Sequence, residues 1–260
     1  MPHHDTENDA AYRERLAREA EFHDHSFEND IREAEVGKFY AVTRRSYAAY
    51  RRRVFREPAG DVLEYGCGIN SDGPELVRRG ARVTGIDISP VAIAESTERA
   101  RAAGLDDRLR YLVMNAEQLE FPDASFDLVC GIGIIHHLDI ARSYAEIERV
   151  LRPGGRAVFH EPLGHNPFIN RYRDRTPHLR TPDEHPLLRA DLDLARRHFS
   201  TVEMEFFHLT SLGVVPLRNT PLFKPLLAVA EGIDSLLMGV IPPLKWWGWY
   251  GVMEMRKGMG

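Results

Sequence analysis

The sequence predicts an α/β fold: a doubly wound, mainly parallel seven-stranded sheet with helices on both faces. Three observations carry this. From residue 61 onward, short apolar runs alternate with helical stretches. The first run leads into a glycine turn, "YGCG" at 65–68, ahead of a helix. The second run ends on an acid, in "GIDIS" at 85–89. Strands that alternate with helices pair in parallel, because each crossover helix returns the chain to the starting end of the sheet.

The runs in order are "DVLEY" (61–65), "RVTGID" (82–87), "LRYLVM" (109–114), "FDLVCGI" (126–132) and "RAVFHE" (156–161). "FSTVEMEFFHLT" (199–210) and a final strand within "WWGWYGVMEMRKG" (246–258) complete the seven. Helices are expected at 72–80, 90–103 and 139–151. Ser71 or Asp72 caps the first of these, with Pro74 in its first turn, and Ser89 caps the second, with Pro90 at its first position. Residues 8–24 and 31–56, rich in Ala, Arg, Glu and Tyr, read as helices, and "EPAG" (57–60) ends them. The expected division is an N-terminal helical cap over 1–58 and the sheet domain over 59–260. Residues 162–190 are rich in Pro, Arg and His without clear periodicity, which marks a long binding loop or lid. "PLLAVAEGIDSLLMGVIPPL" (225–244) reads as an amphipathic packing helix, since Glu231 and Asp234 share one face. A surface that touches lipid is the alternative for this segment.

Of 260 residues, 43% are hydrophobic and 28% charged, the composition of a soluble globular chain. A net charge of −5 argues against a nucleic-acid partner, and the clusters Arg44–Arg45 and Arg51–Arg53 read as solvated helix faces. The opening "MPHHDTENDA" lacks the apolar core of a signal peptide, and no apolar run is long enough to span a membrane. Only two cysteines occur, Cys67 and Cys130, which excludes a disulfide scaffold and reads as two small core residues in a cytoplasmic protein.

Gly66 and Gly68 let the backbone turn sharply beneath a ligand. The turn alone fits NAD, FAD, another nucleotide, S-adenosylmethionine or no ligand at all. Asp87, nineteen residues after Gly68, is placed to accept both hydroxyls of a ribose. A dinucleotide turn carries a third glycine where this chain has Ser71, and the carboxylate of Glu64 beside the turn opposes a diphosphate but suits an ammonium group.

These motifs in this order resemble the class I S-adenosylmethionine-dependent methyltransferases, which have a Rossmann-like fold. "VLEYGCG" resembles their glycine motif and "GIDIS" their ribose acid; "MNAEQLEFPDASFDLVCG" and "RVLRPGGRAVFHEP" resemble the motifs that follow. The likeness covers about residues 60–162 and is nearest the small-molecule group; the N-terminal helices, "HEPLGHNP" and "TPDEHPL" resemble an uncharacterised bacterial subgroup. It implies that Gly66, Cys67 and Gly68 line the cofactor. By the same likeness Glu64 orders the turn near its methionine end, Asp87 holds the ribose and Ile88 packs on the adenine. Asn115 and Ala116, with Glu117 beside them, meet the adenine edge, and Gly131 offers a carbonyl to the methionine amine. The family commonly has Asp where this chain has Asn115, whose amide oxygen still accepts a hydrogen bond.

Ligands of open α/β sheets lie at the carboxyl ends of the strands. That places His136 and His137 ("IIHHLD") and Glu161 and His165 ("HEPLGHNP") beside the methyl group. The expectation is methyl transfer to an oxygen of a small or lipid-like acceptor, with a general base among these four residues. Nitrogen, sulfur or carbon acceptors are the alternative, with a divalent ion on two histidines and a carboxylate as possible assistance, although no spacing marks metal ligands. An NAD-dependent oxidoreductase and a non-catalytic cofactor-binding partner protein are the readings from other classes. His178 and His185 are candidates to line the acceptor pocket, which residues 162–190 and 209–245 are expected to build, or else to pair with Asp183 and Glu184. Arg171, Arg173 and Arg175 read as a solvated face, with a clamp for an anionic acceptor as the alternative, and Trp246, Trp247 and Trp249 as core or homodimer packing rather than an aromatic cage.

Overall fold

Strand β1 (Asp61–Tyr65) is an inner strand, third of seven in the sheet, and its residues from Val62 on are buried. The computed structural model describes residues 5–29, 37–57 and 60–260. Residues 31–36 of the expected helix 31–56, and Pro58 and Ala59, lie outside the described residues.

Helices α1 (Asp5–Asn29) and α2 (Arg44–Val54) precede the sheet. Then come β1, α3 (Gly73–Arg78), β2 (Arg82–Asp87), α4 (Pro90–Ala102), β3 (Leu109–Val113) and β4 (Phe126–Ile132). A 3₁₀ turn (Ile135–His137), α5 (Ile140–Val150), β5 (Leu151–Pro162), α6 (Pro167–Arg175) and α7 (Arg189–His198) follow. The chain ends with β6 (Thr201–Phe207), α8 (Phe223–Val240) and β7 (Tyr250–Arg256).

Among the described residues, seven strands form one sheet in the order β3-β2-β1-β4-β5-β7-β6. The first five are parallel; β7 runs antiparallel to both β5 and β6. Side chains alternate along a strand. Val62 therefore packs toward α2, α3 and α4, while Leu63 packs toward α5 and α7. The strand order reverses beside β1, so β1 and β4 aim their carboxyl ends into the crevice where such sheets bind ligands.

Local chemistry sets the helix starts as the sequence predicts. The Ser89 hydroxyl accepts the Ala92 N–H at 3.0 Å ahead of Pro90, and the Ser71 hydroxyl accepts the Gly73 N–H at 2.9 Å.

Two expectations need correction. Residues 162–190 are not a structureless loop. The Asn166 side chain accepts the N–H groups of Phe168 and Ile169, at 2.9 and 3.2 Å, and starts α6 at Pro167. This helix has no fully buried residue: its apolar side chains, Phe168, Ile169 and Tyr172, line the cavity instead of the core. Helix α8 is not a conventional packing helix. Its buried positions are Ala230 and Asp234, while Val229, Leu236 and Val240 are exposed. The Asp234 carboxylate accepts the N–H groups of Leu209 and Thr210, at 3.1 and 2.6 Å. Arg45 donates to the Glu231 carbonyl at 2.9 Å. The polar face is thus turned inward. Among the described residues, no helix is long and apolar enough to cross a membrane.

Candidate functional site

A cavity of about 880 Å³ opens at the carboxyl ends of β1, β2, β4 and β5. Of the residues expected to hold a cofactor, Glu64, Gly66, Cys67, Gly68, Asp87, Ile88, Asn115, Ala116 and Gly131 line it. Glu117 does not. Its carboxylate is buried and binds Arg15 of α1 through both oxygens, at 2.6 and 2.7 Å, and also accepts the Asp139 N–H at 2.8 Å. It tethers α1 to the sheet rather than facing the cavity.

Gly66 and Gly68 adopt φ values of +68° and +50°, in the left-handed region that favours glycine. A Cβ on Gly66 would lie 2.7 Å from the Ile134 side chain. One Asp87 oxygen accepts the Gly68 N–H and the other the Ser89 N–H, both at 2.9 Å. Each oxygen keeps a lone pair for a ribose hydroxyl. Glu64 accepts the Ser71 hydroxyl and, at 2.6 Å, the Asp72 N–H. Burial pushes its carboxyl up to about 7, against the pull of those hydrogen bonds. Asn115 is held on both sides: its amide donates to Tyr12 at 2.8 Å, and its oxygen accepts the Glu117 N–H at 2.9 Å.

The four expected catalytic residues separate. Glu161 is fully buried and absent from the cavity lining. It accepts the Ile134 and Ile135 N–H groups, both at 2.9 Å, and binds His136 Nδ1 at 2.7 Å. Its carboxylate orients the His136 ring and does not reach the cavity. His165 is exposed and outside the cavity, where its Nε2 accepts the Arg189 N–H at 3.0 Å. His136 reaches the wall with both nitrogens engaged, the second on Glu184 at 3.2 Å. Burial opposes its charge, but the two carboxylates outweigh burial and raise its pKa. With both nitrogens held by carboxylates, this ring offers no free lone pair to an acceptor. His137 also lines the wall. Burial, with the adjacent His136, pushes it down to about 4, and no hydrogen bond of ordinary geometry reaches either nitrogen.

His178 and His185 are exposed and outside the cavity lining. Arg173 departs from the solvated face expected of it: it lines the cavity and donates to the Leu163 carbonyl at 3.1 Å. Trp249 departs from the expected packing role. It lines the cavity, stacks on Tyr40 at 6.3 Å and meets Phe39 edge-on at 6.2 Å. With Tyr172 and Tyr250 these rings make an aromatic chamber beyond the glycine turn. Sequence reasoning also missed Glu19 and His23 of α1, and Glu184. The signal for the first two was the i, i+4 spacing of a carboxylate and a histidine on one helix face.

The carboxylate wall and glycine turn fit an adenosyl cofactor that carries an ammonium group. The comparisons with known proteins agree. Residues 63–159 match the family described as a methyltransferase domain. The chain is 37% identical over 101 residues to a sterol 24-C-methyltransferase of Gibberella zeae, covering 38% of this chain and 27% of that protein. It is 30% identical over 205 residues to the 2-methyl-6-phytyl-1,4-hydroquinone methyltransferase of Synechocystis sp., covering 78% and 61%. The chain thus spans less than two thirds of the length of these relatives. The phosphoethanolamine N-methyltransferase 2 of Haemonchus contortus, solved with S-adenosyl-L-methionine, shares the fold with a TM-score of 0.65 at 19% identity, over 91% of this chain and 60% of that one. Residues 63–159 thus carry a methyltransferase domain, on a fold shared with an enzyme solved with S-adenosyl-L-methionine.

Proposed function

We propose that this protein methylates an oxygen of a small, apolar or lipid-like acceptor. The observation that carries this reading is the joining of the glycine turn and Asp87 to an aromatic chamber within one cavity. S-adenosylmethionine, when bound, supplies an electrophilic methyl group on a sulfonium, and its transfer needs an acceptor lone pair in line with the departing sulfur. In this reading Asp87 holds the ribose, Glu64 and the Gly131 carbonyl receive the ammonium end, and Ile88, Asn115 and Ala116 border the adenine. Phe39, Tyr40, Tyr172 and Trp249 orient the acceptor and exclude water. A hydroxyl acceptor must lose its proton; in this reading His137 takes it, supported by its place in the cavity lining and by the hold of Glu161 and Glu184 on His136.

The described helices of the 1–58 segment serve as a cap over the cofactor, supported by the reach of Arg15 and Tyr12 to Glu117 and Asn115. Residues 162–190 and 209–245 contribute Tyr172, Arg173, Leu209 and Leu212 to the acceptor side. Carbon methylation is the second reading, favoured by the names of the sterol and hydroquinone relatives and by rings able to face a developing cation.

Calorimetric titration with S-adenosylmethionine and with NAD tests the cofactor. Micromolar binding of the former alone is expected, and binding of NAD alone overturns the reading. Product analysis with hydroquinone and sterol acceptors then assigns the atom: an O-methyl product supports oxygen, a C-methyl product the second reading.

A further inference from the structure

We infer that Glu19, His23 and His137 form a binding site for one divalent transition-metal ion in the cavity wall. Glu19 and His23 stand one turn apart on α1 and so share a face. His137 comes from the 3₁₀ turn after β4. One ligand atom from each lies within 4.8 Å of the other two. Glu19 Oε2 is 3.6 Å from His23 Nε2 and 3.3 Å from His137 Nδ1. The two imidazole rings meet edge-on at 5.1 Å.

The second observation is what burial has done to these groups. Glu19 and His137 are each only 3% exposed. Both carboxylate oxygens of Glu19 and both ring nitrogens of His137 lack a hydrogen bond of ordinary geometry. Buried polar groups are seldom left so, because desolvation then goes uncompensated. One cation among them answers the carboxylate charge and the imidazole lone pairs together.

The donor set selects the metal. Two imidazoles and one carboxylate suit zinc, iron(II), cobalt(II) or manganese(II), with positions left open to the cavity. Magnesium and calcium prefer sets made wholly of oxygen. His136, His137 and Glu184 also bring ligand atoms within 4.8 Å of one another. That set is weaker, because His136 is already bound to Glu161 at 2.7 Å and Glu184 to Arg180 at 3.2 Å.

An ion held this way joins α1 to the carboxyl edge of the sheet. It also sets positive charge where the acceptor oxygen is proposed to lie, lowering the pKa of a hydroxyl there. In the loaded protein His137 is a ligand, and the ion takes over the activation that His137 provides without it. Only this catalytic consequence rests on the proposed function; binding of the ion does not.

The test uses the full chain, stripped with a chelator and titrated with cobalt(II) while visible absorption is recorded. One equivalent is expected to bind, with the bands of a low-symmetry site. Glu19→Gln and His23→Ala, each checked for folding by circular dichroism, should weaken cobalt binding by at least about tenfold. The inference is overturned if the wild-type protein takes up no cobalt, or if both folded variants bind it as the wild type does. Calorimetry with S-adenosylmethionine runs in parallel. Cobalt uptake without cofactor binding would support the ion site and sink the methyltransferase reading alone.

Discussion

Glu161 holds His136 by a 2.7 Å contact between Oε2 and Nδ1, while its other oxygen receives the N–H groups of Ile134 and Ile135 at 2.9 Å each. One buried carboxylate thus sets both the backbone turn after β4 and the ring that turn presents. Glu161→Ala strands two buried N–H groups and one imidazole. The expected loss of stability is about 3–5 kcal/mol, seen as a lower denaturation midpoint. Glu161→Gln keeps an acceptor and should lose less. Equal stability for Glu161→Ala and wild type would show that the turn does not need this carboxylate.

Asp87 serves the glycine turn and, in the proposed function, the ribose. Asp87→Ala should weaken S-adenosylmethionine by roughly a hundredfold, which is about 3 kcal/mol. Asp87→Asn keeps acceptor capacity on one atom and should fall between. Calorimetry reads both. Unchanged affinity in Asp87→Ala would remove this residue from the cofactor site.

Glu64 gives a pH signature. Its folded-state carboxyl stands at about 7 against an ordinary value of 4.5, raised by burial. The folded chain therefore holds this proton more tightly than the unfolded chain. Its contribution is full below about 4.5 and is lost as pH rises toward 7, by no more than about 3 kcal/mol. Urea melts across this window should show a smaller decline for Glu64→Gln than for wild type. Parallel declines would mean that Glu64 ionises normally.

Trp249 stacks over Tyr40 in the aromatic chamber that the proposed function gives to the acceptor. Trp249→Ala should raise the acceptor KM by about tenfold or more, while the cofactor dissociation constant stays near wild type. A matching loss of cofactor affinity would place the ring on the other side of the cavity.

Helix α8 docks through Asp234, whose carboxylate receives the Leu209 and Thr210 N–H groups. Asp234→Ala should cost about 2 kcal/mol or more, because those N–H groups lose their acceptor. Val229→Ser, on the exposed face, should change stability by no more than about 0.5 kcal/mol. The reverse order would mean that the apolar face is the packed one.

The sequence by itself determined the strands, the glycine turn and Asp87. Each rests on local rules: alternation of short apolar runs with helices, glycine where φ is positive, and an acid closing the second strand. Helix α6 escaped because its short length buries no side chain in the core, although Asn166 and Pro167 spelled its start. The character of the histidine wall was a tertiary matter. His136, His137, Glu161 and His165 look alike as sequence, yet they become a ring held between two carboxylates, a buried ring without an ordinary hydrogen bond, a buried support and a surface residue. The groups that distinguish them lie far off along the chain: Glu184 for His136, Glu19 for His137, and the backbone of Arg189 for His165. The inverted face of α8 has the same origin, since Asp234 is drawn inward by N–H groups 24 and 25 residues away. Periodicity records which residues are apolar; burial and hydrogen bonding across the fold decide which way they face and which protons they hold.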